Sequence, residues 1–262
     1  MRHPIALVDA FAERPFAGNP AGVMVLDAPL PDEVMQAVAM ELAQAETAFC
    51  APREGGGWDL RWFTPTQEVA FCGHATLATA HVLAEEGRSD GLIAFHTREV
   101  GVLRVGVEKG SRYALDLPRL DPEPGDLALV APLVPGARSA FCSFENHFAE
   151  LGSEAEVRAF VPDLPAIARL GSFGLCVTAP GDGSDMASRY FAPGAGIPED
   201  AVTGSIHATL VPFWAGRLGR DRLSAVQASR RGGRLDGHLT HDRVILTGGA
   251  VTTLRGHIDL PD

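Results

Sequence analysis

A chain of 262 residues is long enough for two domains, each with its own hydrophobic core. Its 46% apolar and 21% charged residues are typical of a globular protein and exclude a disordered or fibrous one. The net charge of −11 includes no basic stripe that would neutralise phosphates, so no nucleic-acid partner is expected. We predict no membrane partner and a cytoplasmic location, because the sequence has neither a run of about 18 apolar residues nor a signal-peptide pattern. The 4 cysteines are widely spaced and predicted to be reduced.

The first half of the chain alternates apolar, strand-like segments with turn signals. Strands are predicted at residues 5–11 and 21–26, on either side of the turn-rich segment 16–20. Asp32 is then a candidate N-cap for an amphipathic helix that continues to Leu42. Later strands are indicated at residues 46–50, 59–63, 92–96, 102–107 and 112–117.

The segment 120–136, rich in proline and acidic residues, is the predicted crossing between two half-domains, residues 1–119 and residues 120–262. The last strand of the second half is a candidate to return to the first. After the crossing, the order of elements repeats. The predicted elements are a strand-like region at 141–151, a short helix at 164–170, and strands at 174–178, 223–229, 235–239, 244–246 and 251–258.

One motif occurs twice, once in each half. Its copies span residues 61–83 and residues 189–214. Each copy opens Arg-aromatic-Phe-x-Pro, passes through a loop that contains an acid, and enters a helix at Gly73 or Gly204. A repeat of this length indicates two copies of one half-domain, because solenoid repeats are far shorter. If the halves face each other, both helix N-termini would point into one cleft suited to a negatively charged ligand.

The two helices of this motif lack a charged face. Residues 75–84 and 201–216 carry no formal charge outside their histidines. A helix without a polar face is normally buried on all sides. The sequence therefore predicts an α+β fold in which a mostly antiparallel sheet is rolled around one central helix, built twice. Gly87 and Gly219 are the predicted helix stops, and Pro212 is predicted to kink the second helix.

Five segments resemble the phenazine biosynthesis F-like (PhzF) isomerase family, which has the diaminopimelate epimerase-like fold. In the family's order they are DAFAERPFAGNPAGV, AETAF, RWFTPTQEVAFCGHATLA, RYFAPGAGIPEDAVTGS and a Gly-Gly-Arg near Gln227. The resemblance implies two pseudo-symmetric half-domains with the active site between them. It also implies acid–base chemistry without a metal or cofactor, a small carboxylate substrate and a homodimer.

The resemblance further implies roles for the residues that match these motifs. Glu46 matches the catalytic glutamate, and His74 matches the histidine of the Gly-His motif. Asp200 and Ser205 match the acid and the serine of the second motif. Substrate-binding positions are implied at Gly73, Ala75, Thr203, Gly204, Asn19 and Cys72. The substrate itself is not implied, because this chain departs from the phenazine-pathway enzyme at positions 72, 75 and 228.

The proposed chemistry requires a base that removes a proton from carbon and an acid that returns one. A single carboxyl does both when its pKa lies near neutrality. Glu46 fits this role because no basic residue is near it in sequence, so that burial would raise its pKa. The structural alternative is a solvated carboxylate at a strand edge.

The remaining site residues would support that carboxyl. His74, at a helix start, is expected to be neutral, with Asp200 as its orienting partner. Ser205 and the amides that follow Gly73 and Gly204 would bind the substrate carboxylate. The alternatives are structural: helix capping by Ser205 and dipole stabilisation by Asp200.

Cys72 is compatible with a second enzymatic function, that of an epimerase. It lies where the related epimerases have one of two catalytic cysteines, but the second copy has Thr203, which is too weak an acid to replace a thiol. The alternative is a small buried side chain. No metal site is predicted, because His74 and His81 lack a third ligand at a recognisable spacing. Three functions therefore remain: an isomerase with Glu46 as proton shuttle, which is favoured, an epimerase assisted by Cys72, and a non-catalytic binding protein.

Overall fold

The computed structural model describes residues 1–89, 91–144, 146–171 and 174–260. It divides into two compact units. The first unit contains Met1–Asp116 together with the C-terminal segment that starts at Thr247, and the second contains Leu117–Leu246. The C-terminal segment thus groups with the first unit, and the segment 120–136, predicted as a crossing, groups with the second.

The N-terminal part of the chain forms short strands and two helices. The strands are β1 (Arg2–Ala10), β2 (Asn19–Val25), β3 (Glu46–Pro52), β4 (Trp58–Phe63), β5 (Glu68–Val69), β6 (Leu92–His96), β7 (Val102–Glu108) and β8 (Arg112–Pro118). The helices are α1 (Asp32–Leu42) and α2 (Gly73–Glu85). Side chains of β8 alternate between buried and half-buried, which is the pattern that predicted it.

The rest of the chain repeats this mixture. Its strands are β9 (Glu123–Pro124), β10 (Ser139–Ser143), β11 (Asn146–Glu150), β12 (Gly174–Pro180), β13 (Met186–Ala192), β14 (Ile197–Asp200), β15 (Arg222–Gln227), β16 (Gly233–Leu239) and β17 (Arg243–Asp259). Its helices are α3 (Leu127–Val130), α4 (Glu154–Ala159), α5 (Leu164–Ala168) and α6 (Gly204–Leu218), with a 3-10 turn at Pro193–Ala195.

The strands of the first unit close into a ring. The order of pairing is β1, β2, β3, β4, β6, β7 and β8. β17 pairs with both β8 and β1, which completes the ring. The β2–β3 and β4–β6 pairs are parallel, whereas the other pairs from β1 to β8 are antiparallel. A closed sheet leaves no strand edge exposed to pair with other chains.

Helix α2 is buried by this sheet. It packs against β1, β2, β3 and β7, and every residue from 73 to 83 is buried. Its hydroxyls are satisfied within the helix: Thr76 and Thr79 donate to the carbonyls of Cys72 and Ala75 at 2.6 and 2.7 Å. The prediction of an α+β fold with strands around a charge-free helix is therefore confirmed.

The second unit repeats the pairing pattern of the first. β11–β12 and β13–β15 are parallel, whereas β10–β11, β12–β13 and β15–β16 are antiparallel. The largely buried helix α6 packs against β15 and β16, and it continues through Pro212, where the predicted kink stays a prediction. It ends at Gly219, whose φ of 67° is the left-handed conformation expected of a C-terminal stop.

Several predicted elements differ in detail. Asp32 is the first residue of α1 and not its N-cap, because its carboxylate accepts a hydrogen bond from Arg61 Nη1 at 2.6 Å instead. The strand-like region predicted at 141–151 covers the end of β10 and all of β11, two strands that pair with each other. The strands predicted at 244–246 and 251–258 are parts of the single strand β17.

Helix α4, which is 6 residues long, was not predicted from the sequence. Its start nevertheless carries a capping signal, since Ser153 Oγ accepts from the backbone N–H of Glu156 at 3.3 Å. None of the helices in the described part of the chain has the length and apolar character needed to span a bilayer.

Candidate active site

Four of the predicted site residues meet at the start of helix α2. Cys72 precedes the helix in an extended conformation, and His74 lies in its first turn with only 5% of its surface exposed. Glu46 and Asn19 lie against the His74 ring. All four residues belong to the first unit, so this cluster forms within one compact body.

Two parallel strands bring Asn19 and Glu46 together. Glu46 is the first residue of β3, and its register partner in β2 is Ala21, two residues after Asn19. The turn before Asn19 requires Gly18, because its φ is +66° and a Cβ there would lie 2.1 Å from the Ala10 carbonyl oxygen. The Gly18-Asn19-Pro20 segment therefore brings the Asn19 side chain beside His74 at the start of helix α2.

Each nitrogen of the His74 ring has a polar neighbour. Asn19 Nδ2 lies 3.1 Å from Nδ1, and Glu46 Oε2 lies 3.3 Å from Nε2. An amide nitrogen donates, so Nδ1 accepts in the contact with Asn19, and the proton of a neutral ring then lies on Nε2, the nitrogen nearer to Glu46. The ring orientation is thus explained within the first unit, and the orienting role of Asp200 stays a prediction.

Burial keeps the His74 ring neutral. It lowers the pKa of His74 to about 4, although a hydrogen bond to the Pro20 backbone acts in the opposite direction. A neutral ring beside Glu46 does not form an ion pair with its carboxylate, as an imidazolium would. Glu46 itself is mostly buried, with 14% of its side chain exposed.

Cys72 lies beside the same ring. Its Sγ is 3.5 Å from His74 Nδ1 and 4.0 Å from Nε2, and its side chain is buried. The burial of Cys72 is compatible both with a catalytic thiol and with a small buried side chain. Its contact with the His74 ring is not needed for a purely apolar role.

The other predicted residues gather at the start of helix α6 in the second unit. Thr203 Oγ1 donates to Asp200 Oδ2 at 2.5 Å. Gly204 is the first helical residue and is buried, whereas Ser205 follows it with an exposed side chain. Gly73 and Ala75 occupy the corresponding first turn of α2, where the Ala75 side chain is fully buried and only backbone amides remain for a ligand.

Gln227 is a site residue that the sequence analysis did not select. It is fully buried, and its Oε1 accepts from the backbone N–H of Thr203 at 2.8 Å. Its Nε2 donates to the Asp200 carbonyl at 3.0 Å and to Thr203 Oγ1 at 3.1 Å. The signal was present, because a glutamine at the end of an apolar strand needs polar partners for its amide.

The two units differ at the position of Glu46. Phe49 pairs with Arg61 and Val177 pairs with Arg189, so the repeat makes Glu46 equivalent to Gly174. A Cβ at Gly174 would lie 2.0 Å from the hydroxyl of Tyr190. A phenol ring thus fills the place where the first unit has its carboxylate, and the chemistry that Glu46 offers has no counterpart at that position.

Comparisons with known proteins agree on the fold. A hydroxyproline epimerase from Agrobacterium vitis has the same fold, with a TM-score of 0.65 at 13% identity over 100% of this chain and 93% of that one. The crystal structure of a PhzF family protein from Enterococcus faecalis gives a TM-score of 0.94 at 41% identity, covering 99% of this chain and 100% of that one. The protein therefore has the diaminopimelate epimerase-like fold.

Sequence comparison gives the family. The family model described as phenazine biosynthesis-like protein (PhzC-PhzF) matches residues 8–256. A protein from Pseudomonas aeruginosa named as an uncharacterized isomerase is 47% identical over 259 residues, which cover 97% of each chain. The chain belongs to the phenazine biosynthesis-like protein family, as the five sequence segments indicated, and the relative's name supports an isomerase.

Proposed function

We propose that the protein is an isomerase that moves a proton between carbons of a small carboxylate substrate, with Glu46 as the shuttle. The observation that carries the proposal is the Glu46 carboxylate, mostly buried and 3.3 Å from the Nε2 of a neutral histidine. This is the arrangement that a carboxyl needs in order to alternate between base and acid. The family and the name of the Pseudomonas relative support the same class of reaction.

The proton balance of the proposed reaction is simple. Glu46 removes a proton from one carbon, and the electron pair of the broken C–H bond moves into the adjacent unsaturated system of the substrate. The carboxyl then returns the proton to another carbon, so that the protein ends in its starting state. The neutral His74 ring, with Nε2 3.3 Å from Glu46 Oε2, would hold the carboxylate in place.

The start of helix α6 would bind the substrate carboxylate. Its first-turn amides and the exposed Ser205 hydroxyl are donors for an anion, and Asp200 positions Thr203 beside them. The family resemblance implies that both motifs serve one substrate, and we include this in the proposal. We also expect a cytoplasmic homodimer, for which light scattering of the purified protein is the test.

Hydrogen exchange tests the proposed reaction. A carboxylate that binds the protein, found by native mass spectrometry after incubation with cell extract, is incubated with the protein in heavy water. The substrate should take up deuterium at carbon. With substrate deuterated at the reacting carbon and ordinary water as solvent, part of the label should reappear at the second carbon, because one carboxyl carries it. A bound carboxylate that exchanges no hydrogen would contradict the proposal and favour a non-catalytic binding protein.

An epimerase assisted by Cys72 is the second candidate. The observation that favours it is the 3.5 Å distance between Cys72 Sγ and His74 Nδ1, because it places a thiol in the candidate site beside Glu46 and His74. The repeat argues against it, since the equivalent residue Thr203 has a hydroxyl that donates to Asp200. This candidate requires loss of activity in Cys72→Ser, labelling of Cys72 by a thiol reagent only without ligand, and no label transfer between carbons.

A further inference from the structure

A buried carboxylate that the proposed reaction does not use holds the loop between β1 and β2. Asp9 lies near the end of β1 with only 2% of its surface exposed. Its Oδ2 accepts a hydrogen bond from the backbone N–H of Phe16 at 2.7 Å. Asn19 follows three residues later as the first residue of β2. Asp9 therefore ties down the segment that leads into the candidate site.

The conformation of Phe16 needs this support. Its φ of 67° lies in the left-handed region, which is unfavourable for a residue with a bulky side chain. Phe11, at the start of the same loop, has a similar φ of 57°, but its ring is fully buried. The Phe16 ring is exposed, so packing of this side chain does not compensate for the strain. The hydrogen bond to Asp9 offsets it, because bonds to a carboxylate are stronger than bonds to a neutral acceptor.

The residues that follow this loop connect it to the His74 ring. Asn19 Nδ2 lies 3.1 Å from Nδ1 of the ring, and the Pro20 backbone makes a hydrogen bond with the same ring. In the β1–β2 register Asp9 pairs with Pro20, and Ala10 pairs with Asn19. Neighbouring side chains of a strand lie on opposite faces, so Asp9 and Asn19 do not share a face. The loop is therefore the route by which Asp9 can act on His74.

We propose that Asp9 is a positioning residue for the candidate site. Its carboxylate fixes the loop so that the Asn19 amide donates to His74 Nδ1, and the ring proton then stays on Nε2, the nitrogen nearer to Glu46. Loss of the Asp9 acceptor lets Phe16 leave the left-handed region and moves Asn19 away from the ring. The effect on the reaction rests on the proposed function, whereas the effect on the ring does not.

Nitrogen NMR of the protein with labelled histidine measures the position of the ring proton. The His74 signals are those that disappear in His74→Asn, and in the wild-type protein we expect the proton on Nε2. Asp9→Ala should show a second set of His74 signals, with the proton on Nδ1. Asp9→Asn keeps an oxygen that accepts the Phe16 N–H, so it should keep the wild-type spectrum. Phe16→Gly should restore that spectrum in Asp9→Ala, because glycine adopts a left-handed backbone without strain.

Asp185→Ala is the matched control, because this carboxylate also accepts a backbone N–H. Asp185 Oδ2 lies 2.7 Å from the Ser224 nitrogen, and both residues belong to the second unit. Its replacement should leave the His74 signals unchanged. The proposal is overturned by an Asp9→Ala protein that is folded by circular dichroism and keeps the wild-type His74 spectrum. A wild-type ring with its proton on Nδ1 would overturn it as well.

Two measurements replace Asp9→Ala if that variant does not fold. In the wild-type protein the Phe16 amide should be protected from exchange with solvent, although its side chain is exposed. Asn19→Ala should give the second set of His74 signals, because it removes the donor to Nδ1. An unprotected Phe16 amide, or an unchanged His74 spectrum in Asn19→Ala, would contradict the positioning role.

Activity is measured separately so that the two proposals can be distinguished. With the carboxylate identified by native mass spectrometry, Asp9→Ala should lower kcat for hydrogen exchange about tenfold to a hundredfold, since a misplacement of 1 Å can cost about a hundredfold. KM should change less than kcat, because the buried Asp9 side chain acts through the loop. If the ring proton moves but kcat does not change, the positioning role stands and the part of His74 in the proposed reaction is contradicted.

Discussion

Buried histidines at the starts of the two central helices are held neutral by their surroundings. His74 Nδ1 accepts from Asn19, Nε2 lies 3.3 Å from Glu46 Oε2, and burial lowers the pKa of the ring to about 4. The sequence predicted a neutral ring but attributed it to the helix dipole. The larger cause is desolvation, which depends on how completely the strands enclose the helix.

His207 is the second of these histidines. Its Nδ1–H donates to the Thr203 carbonyl four residues earlier, at 2.7 Å. In the first unit Thr76 makes the equivalent bond to the Cys72 carbonyl at 2.6 Å. Two different side chains thus close the same helix start, and burial lowers the pKa of His207 to about 4 as well.

Replacement of His207 by Thr should reduce the acid sensitivity of the fold. The folded pKa of His207 lies below the unfolded value of about 6.5, so only the unfolded chain gains a proton between pH 6.5 and 4. The contribution of the neutral His207 ring to the free energy of unfolding is therefore complete above pH 6.5 and is lost as the pH is lowered below that value. For one such ring the loss between pH 7 and pH 5.5 is about 1 kcal/mol, and His207→Thr should remove this contribution in urea unfolding experiments.

The matched control for this prediction is His241→Thr, because His241 is exposed. It should unfold with the same pH dependence as the wild-type protein. Equal pH dependence of all three proteins would contradict the assignment of a buried neutral ring to His207.

At the scale of elements, the repeated motif forms the same structure twice. Arg61 makes two hydrogen bonds to Glu68, each at 2.7 Å, and lies over the Phe63 ring. The equivalent Arg189 does the same with Glu199, at 2.7 and 3.2 Å, and with Phe191. The Arg-aromatic-Phe pattern therefore predicted a structure that occurs in both units. In each one the arginine pairs with a glutamate and lies over the ring of the phenylalanine two residues later.

The segment before helix α6 depends on Gln227 in the neighbouring strand. Replacement of Gln227 by Met keeps the volume but leaves the Thr203 N–H and the Asp200 carbonyl without the amide that now binds them. Since each such loss costs about 1–3 kcal/mol, we expect a destabilisation of about 3 kcal/mol in urea unfolding.

Gln44→Met is the control for this substitution. Gln44 is half-buried and donates only to the Leu42 carbonyl in the turn after α1, so its replacement should cost less than about 1 kcal/mol. Similar losses in the two variants would show that Gln227 does not hold the helix start.

At the scale of the whole molecule, strand β17 ties the end of the chain to its beginning. Its register with β1 extends from Ala10–Ala250 to Arg2–Asp259. A chain that ends after Ala250 would lose every pair of this register except Ala10–Ala250, and the ring of the first unit would open. Hydrogen exchange should then accelerate in β1 and α2, while α6 in the second unit keeps its protection.

A chain that ends after Asp259 is the control for this truncation. It keeps the whole β1–β17 register and loses only contacts such as the one from the Leu260 N–H to the Met1 carbonyl. Equal acceleration of α2 and α6 in the shorter chain would show that the two units unfold as one body.

The sequence predicted the fold better than it predicted the contacts within the site. The repeated motif, the charge-free helices and the apolar strand-like segments can all be recognised in the sequence, and together they predicted the α+β architecture. The grouping of Glu46 with Cys72 and His74 depends on the parallel pairing of β2 with β3, which no local pattern reveals.

The most direct test of the account is hydrogen exchange by Glu46→Gln compared with Glu41→Gln. Glu41 lies on the exposed face of α1, five positions earlier in the chain, and its replacement should leave the exchange rate unchanged. Replacement of Glu46 removes the acid–base group but keeps its shape, so the rate should fall by roughly a hundredfold to ten-thousandfold. Exchange at the wild-type rate in a folded Glu46→Gln protein would contradict the central claim that this carboxyl carries the proton.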